Sequence, residues 1–237
     1  MSNPFVLVNR STSHAHAALI IATIFFAAAL PWSSNANAEE KAGHSHQTEE
    51  KPLGPADPAK LHQPGELPDI GIGDISAPVT IVEYASITCS HCGRFHRELL
   101  PELKKKYIDT GKARLILREF PLESVAAAAA LIARCTGTDK TYDAVSTMFE
   151  RQQQWLRKDD LRPDLMAIAA EYGMSKERFE ACLKDEALFK KMITSRTRGH
   201  EEFGVKSTPT FFINGKPLVG PRSIAEFDAI IQPMLAN

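Results

Sequence analysis

Apolar residues change their spacing along the chain, and each change marks an element. The run APVTIVEYAS, residues 77–86, is β-branched and apolar at successive positions, the pattern of a strand covered on both faces. Directly after it the spacing becomes helical. Phe95, Leu99, Leu103 and Tyr107 recur at intervals of four, Pro101 is an expected kink, and Gly111 is a C-terminal stop. ARLILREF, residues 113–120, is a second buried strand ended by Pro121. Strand, helix and strand at this spacing predict a βαβ unit with a parallel pair.

Residues 123–203 carry no strand-like run. Four helical stretches are read there: one through Ala126–Ala133, then TYDAVSTMFERQQQW, RPDLMAIAAEYG and SKERFEACLKDEALFKKMITSRTRGHEEF. Gly137 and Gly173 punctuate them, and Ser175 is a helix cap. Strand character returns in PTFFING and KPLVG, a predicted hairpin turned on Asn214-Gly215. An amphipathic helix capped by Ser223 closes the chain. The order βαβ, helical block, ββα predicts an α/β chain: a thioredoxin fold whose halves, 67–122 and 204–237, flank an inserted all-helical domain at 123–203.

The N-terminus follows other rules. Arg10 in the opening stretch, an apolar run ending at Leu30, Pro31, and an Ala-x-Ala ending at Ala38 are the parts of a secretory signal peptide over 1–38. The apolar run falls short of the ~20 helical residues that span a bilayer, although an uncleaved anchor is the alternative. Residues 39–66, rich in Pro, Glu and Lys and free of aromatics, read as a flexible linker. Export would place the protein in the periplasm and set its four cysteines in an oxidising compartment. With 43% apolar residues and a formal charge of −1, the chain can bury a core and carries no nucleic-acid signal.

Placement gives one cysteine pair its chemistry. Cys89 follows the first strand and stands at the start of the helix, where unpaired backbone N–H groups and the positive dipole end favour a thiolate. Thiols so placed have pKa values of about 3.5–7.5, against about 8.5 for a free thiol. Cys92 falls inside the first turn, within reach of Cys89 and more shielded. Cys89 is therefore the expected attacking thiolate and Cys92 the resolving thiol, with His91 between them supporting the thiolate. A lowered pKa stabilises the dithiol and makes the disulfide a strong oxidant. A structural zinc site would need a second close ligand pair, whereas Cys135 and Cys182 stand alone, 47 positions apart. The pair calls for no cofactor and no metal.

Two more features bear on this centre. Pro209, opening the late strand in STPT, is a candidate cis residue that would leave the backbone of Thr208 free to pair with an extended substrate. Glu83 stands in the middle of a buried strand. It is either the acceptor or relay for the Cys92 proton, or a salt-bridged or edge-exposed residue.

APVTIVEYASITCSHCGRFH together with GVKSTPTFFINGK resembles the DsbA-like periplasmic thiol-disulfide oxidoreductases, in their alphaproteobacterial branch, from about Leu67 to the C-terminus. The resemblance implies that Cys89 and Cys92 form the catalytic disulfide, Glu83 is the buried acid, and Thr208-Pro209 is the cis pair. It implies clients that are unfolded or folding secreted proteins with reduced cysteines, and reoxidation by a quinone-linked membrane oxidase. Ser90 stands where the family usually has proline, and this dipeptide tunes the redox poise. Cys135 and Cys182, both on helices of the insertion, are expected to form a structural disulfide in an exported protein; two buried free thiols are the alternative.

Three functions compete. A dithiol oxidase for exported proteins comes first. A disulfide isomerase or reductase comes second, because such enzymes act as dimers through a separate domain, and the segment 39–66 offers none; a monomer is expected. A metal-binding envelope protein using Cys89, Cys92, His44 and His46 comes third.

Overall fold

The computed structural model describes residues 53–157 and 159–236. The signal-peptide reading over 1–38, the first part of the linker, and His44 and His46 lie outside them. Five strands form one sheet: β1 (Ile70–Ile72), β2 (Val79–Ala85), β3 (Ala113–Glu119), β4 (Thr210–Ile213) and β5 (Lys216–Val219), in the spatial order β1-β3-β2-β4-β5. β2 runs parallel to β3, with Glu83 opposite Leu117, and antiparallel to β4, with Glu83 opposite Phe211. The central strand is thus β2, which carries the chain straight into the cysteine pair. The edge strand β1, antiparallel to β3, was not read from the sequence, because three residues between Pro68 and Gly73 are too short to show a period.

Alternate residues of β2 face opposite layers. Ile81 packs with Phe95, Leu103, Phe211 and Phe227, joining the sheet to the helix over residues 90–108 and to the closing helix Ile224–Leu235. Val82 and Tyr84 pack with Leu61, Phe120, Phe203 and Phe212 on the other face. The helix over 90–108 contains two widened π turns, Phe95–Leu99 and Lys104–Ile108. The first ends just before Pro101, which has no N–H to give to the carbonyl four residues back; the expected kink is taken up as a wider turn.

The expectation of a flexible linker up to residue 66 fails over its described part. Leu61, in the short helix Pro58–Leu61, is fully buried, and the Ala56 N–H bonds to the Gly215 carbonyl at 2.9 Å. Arg118 donates to Leu61 O at 2.8 Å, and Arg198 donates to Gln63 O and Lys60 O. One leucine that fills a gap and two arginines that take up carbonyls dock a segment whose composition alone predicts none of this.

The inserted block runs as helices Ser124–Cys135, Thr141–Glu150, Gln152–Trp155, Arg162–Glu171, Lys176–Cys182 and Glu186–Glu201. The last of these packs on both β3 and Ser124–Cys135, so the block returns to the sheet before the chain enters β4. Ser175 accepts from the Arg178 N–H, and Ser223 forms a reciprocal cap with Glu226. The β4–β5 turn has Asn214 and Gly215 at φ of 44° and 84°.

Candidate active site

β2 ends at Ala85, and a three-residue turn delivers Cys89 to the helix start. Its backbone is extended (φ −69°, ψ 119°), its N–H bonds to Ser86 O at 3.0 Å, and its carbonyl accepts from the Gly93 N–H at 3.0 Å. Cys89 is partly exposed and Cys92 buried; both are free thiols. The Cys89 pKa is pulled down to about 5, first by a hydrogen bond from the Cys92 thiol. Partial burial opposes this, and Thr208 with the backbone N–H groups of Cys92 and His91 adds to the lowering. Cys92 moves the other way, pushed well up by burial, by its bond to Cys89, and by the negative charges of Glu83 and Cys89. Of the two sulfurs, the accessible one holds the charge and the buried one the proton.

His91, expected to support the thiolate by its charge or by a hydrogen bond, is exposed, and its backbone N–H is among the groups that lower the Cys89 pKa. Glu83 is fully buried in β2, with its carboxylate oxygens 3.1 and 3.3 Å from His96 Nε2. Of the alternatives open for Glu83, the pairing is realised with a partner inside the core, while its charge also reaches Cys92. His96 went unread in the sequence. Its one signal there is position: it lies four residues past Cys92 on an otherwise apolar helix face.

Gln152 was also missed. It is buried, and its Nε2 donates to Ile87 O at 2.7 Å and Cys89 O at 2.9 Å. A Cβ on Gly93 would lie 2.2 Å from Gln152 Oε1, so Gly93 is what lets the amide reach the loop. A residue of the inserted block therefore holds the cysteine loop from above. Nothing in the QQQ run singles it out.

The peptide bond Thr208-Pro209 is cis, and Cys89 Sγ lies 3.3 Å from Thr208 O. A cleft of about 570 Å³ opens beside this contact, lined by His91, Arg94, Ser207, Thr208, Pro209 and Arg222 among others. Cys135 and Cys182 are bonded to each other, with Cα atoms 6.2 Å apart, and tie the end of Ser124–Cys135 to the end of Lys176–Cys182. Among the described residues no three His, Cys, Asp or Glu side chains gather as a metal site, and no helix is long and apolar enough to cross a membrane.

A family model described as Thioredoxin matches residues 66–233. A putative protein-disulfide oxidoreductase of Rickettsia prowazekii is 30% identical, over 77% of this chain and 67% of its own length. A second, from Rickettsia conorii, is 34% identical over 62% and 53%. The matched part of this chain thus spans between half and two thirds of those proteins. Among solved structures, Wolbachia pipientis alpha-DsbA1 superposes with a TM-score of 0.67 at 31% identity, covering 75% of this chain and 95% of that one. A protein-disulfide isomerase from Novosphingobium aromaticivorans gives 0.61 at 25% identity, covering 72% of this chain and all of that one.

Proposed function

The chain belongs to the thioredoxin family, among its DsbA-like protein-disulfide oxidoreductases, and from that premise we propose that it introduces disulfide bonds into exported proteins through its Cys-Ser-His-Cys centre. The observation that carries the direction of the reaction is the split between the two sulfurs. Cys89 is held near a pKa of 5 while Cys92 is pushed up. A thiolate stabilised in the reduced state makes the disulfide the more oxidising form.

The chemistry then runs in two exchanges. A client thiolate attacks Cys89 Sγ in the Cys89–Cys92 disulfide; the S–S bond breaks, Cys92 leaves with the electron pair and takes a proton, and a client–Cys89 mixed disulfide forms. A second client thiolate attacks the client sulfur of that bond, and Cys89 leaves as a thiolate. The client has lost two electrons and the Cys89/Cys92 pair has gained them. The low pKa of Cys89 makes it a good leaving group in the second exchange. The Thr208 backbone pairs with the extended client. Glu83 handles the Cys92 proton, with His96 as its partner. Export, action in the periplasm, and reoxidation by a quinone-linked membrane oxidase complete the reading.

A glutathione titration of the mature protein tests it. The couple is expected nearer the roughly −120 mV of DsbA than the roughly −270 mV of thioredoxin. A value at or below thioredoxin's overturns the oxidase reading and favours a reductase. Faster repair of a mispaired protein than oxidation of a reduced one would favour an isomerase, the activity for which the Novosphingobium relative is named.

A further inference from the structure

The cleft beside Cys89 is unusual in its charge. Five arginines among the described residues are taken up by carboxylates, Arg118 by Asp69, Arg134 by Glu119, Arg151 by Glu171, Arg162 by Glu180 and Arg198 by Glu202, while Arg97, Arg178 and Arg196 donate to backbone carbonyls. Arg94 and Arg222 line the cleft and have no such partner there, and no Asp or Glu lines it. The nearest acid in sequence, Glu226, spends Oε1 on the Arg222 and Ser223 backbone N–H groups as a helix cap, with no ion pair to the Arg222 guanidinium among the described residues. His91 lies three positions before Arg94, on the same helix face, and also lines the cleft.

We propose that this cleft reads the residues flanking a client cysteine and selects segments that carry a carboxylate there, Asp or Glu. The proposal rests on the oxidoreductase reading, whose direction it does not need. A client sulfur attacking Cys89 must lie beside Thr208, since Cys89 Sγ is 3.3 Å from Thr208 O. An extended segment held along Thr208 carries its neighbouring side chains into the cleft that Arg94 and Arg222 line. A guanidinium offers a planar fork that fits a carboxylate with two hydrogen bonds, and two unpaired ones in a concave site concentrate anions. The same charges stabilise the client thiolate, offsetting the raised thiol pKa that a neighbouring carboxylate causes. Acidic client segments, which otherwise hold less of their cysteine as thiolate, are the ones this cleft brings into reaction.

The test uses three reduced dithiol peptides, identical except for Asp, Asn or Lys beside the reacting cysteine, and the oxidised full chain. Each rate constant is divided by that peptide's rate with hydroxyethyl disulfide, an uncharged oxidant, which removes intrinsic thiol reactivity. The expected order is Asp above Asn above Lys, with about tenfold between the ends at low salt. The spread should shrink toward parity at about 0.5 M salt. R94Q/R222Q should flatten the order at low salt; if that variant does not fold, the salt dependence of the wild type decides alone. Equal normalised rates, or an order that salt and the double variant leave intact, overturn the proposal. The reduced protein is then assayed on the same peptides as disulfides. Slow oxidation of all three with the same charge order in this reverse reaction overturns only the oxidase reading, and a flat order in both directions overturns the cleft's role.

Discussion

His96 Nε2 lies 3.1 Å from Glu83 Oε2, and both side chains are closed off from solvent beneath the helix that carries Cys92. His96 also stacks on Phe149 with ring centroids 4.0 Å apart, and its Nδ1 has no hydrogen-bond partner. The pair therefore uses one imidazole nitrogen, on Glu83. Removing the carboxylate strands that nitrogen in the core, at about 1–3 kcal/mol. Glu83→Ala should lose stability in this range by urea unfolding, and Glu83→Gln, which keeps a polar partner, clearly less. Both remove a charge that raises the Cys92 pKa, so the alkylation pKa of Cys92 in a Cys89→Ala background should fall. An unchanged Cys92 value would show that Glu83 acts on the fold alone.

Cys89→Ser should abolish oxidation of a reduced peptide, whereas Cys92→Ser should accumulate client mixed disulfides. The basis is access: Cys89 is partly exposed and Cys92 is not. A peptide-oxidation assay with pre-oxidised protein reads the first outcome; non-reducing gels after incubation of reduced Cys92→Ser with a disulfide-bonded client read the second, since Cys89 then displaces one client thiolate and no Cys92 is there to release the mixed disulfide. A Cys89→Ser protein working at the wild-type rate would reassign the nucleophile.

The disulfide between Cys135 and Cys182 closes a long loop, with a sequence separation of 47. In the chain-entropy account a loop of this size stabilises the fold by about 3–4 kcal/mol. Cys135→Ala/Cys182→Ala should lower stability by that order while leaving the Cys89 alkylation pKa in place, because the groups that set that pKa are Cys92, Thr208 and the His91 backbone and not the bridge. A shifted Cys89 value would mean that the bridge also sets the loop.

Much of this site was open to reading from the chain, and what was missed has a common cause. The strand before Cys89, the helix after it, Thr208-Pro209 and the Asn214-Gly215 turn all carry local signals: β-branched runs, a helix start, a proline opening a strand, a residue pair suited to positive φ. His96 and Gln152 matter through contacts to residues that folding brings near: Glu83, 13 positions away, and Ile87, 65 away. No period or motif marks a glutamine whose job is to take up two carbonyls of another segment. The docking of Leu61 is similar, one apolar residue in a polar stretch that finds a gap between Tyr84 and Phe212.

Gln152→Ala should test that kind of contact directly. Ile87 O and Cys89 O would each lose a donor, one of them buried, at about 1–3 kcal/mol. With the loop freed, the N–H groups that face the Cys89 sulfur are held less firmly, and its alkylation pKa should rise from about 5. Loss of stability with an unmoved pKa would confine Gln152 to packing.

The last prediction concerns pH. The folded-state pKa of Cys89 is lowered to about 5 from an unfolded value of about 8.5. A depressed acid stabilises the reduced fold fully above the unfolded pKa and loses that contribution as pH falls through the folded one. Between about pH 8.5 and pH 5 the reduced protein should therefore lose stability relative to the oxidised protein, which has no Cys89 thiol to titrate. The slope has a ceiling of about 1.4 kcal/mol per pH unit, and water around the partly exposed sulfur keeps the observed total below the full product of slope and window. The potential should show the same group. Above pH 5 reduction takes up one proton, on Cys92, so the couple should move by about 30 mV per pH unit; below it, Cys89 is protonated too and the slope should double to about 59 mV. Redox titrations from pH 4 to pH 8 would locate the break, and a single two-proton slope across the range would remove the Cys89 thiolate from the account.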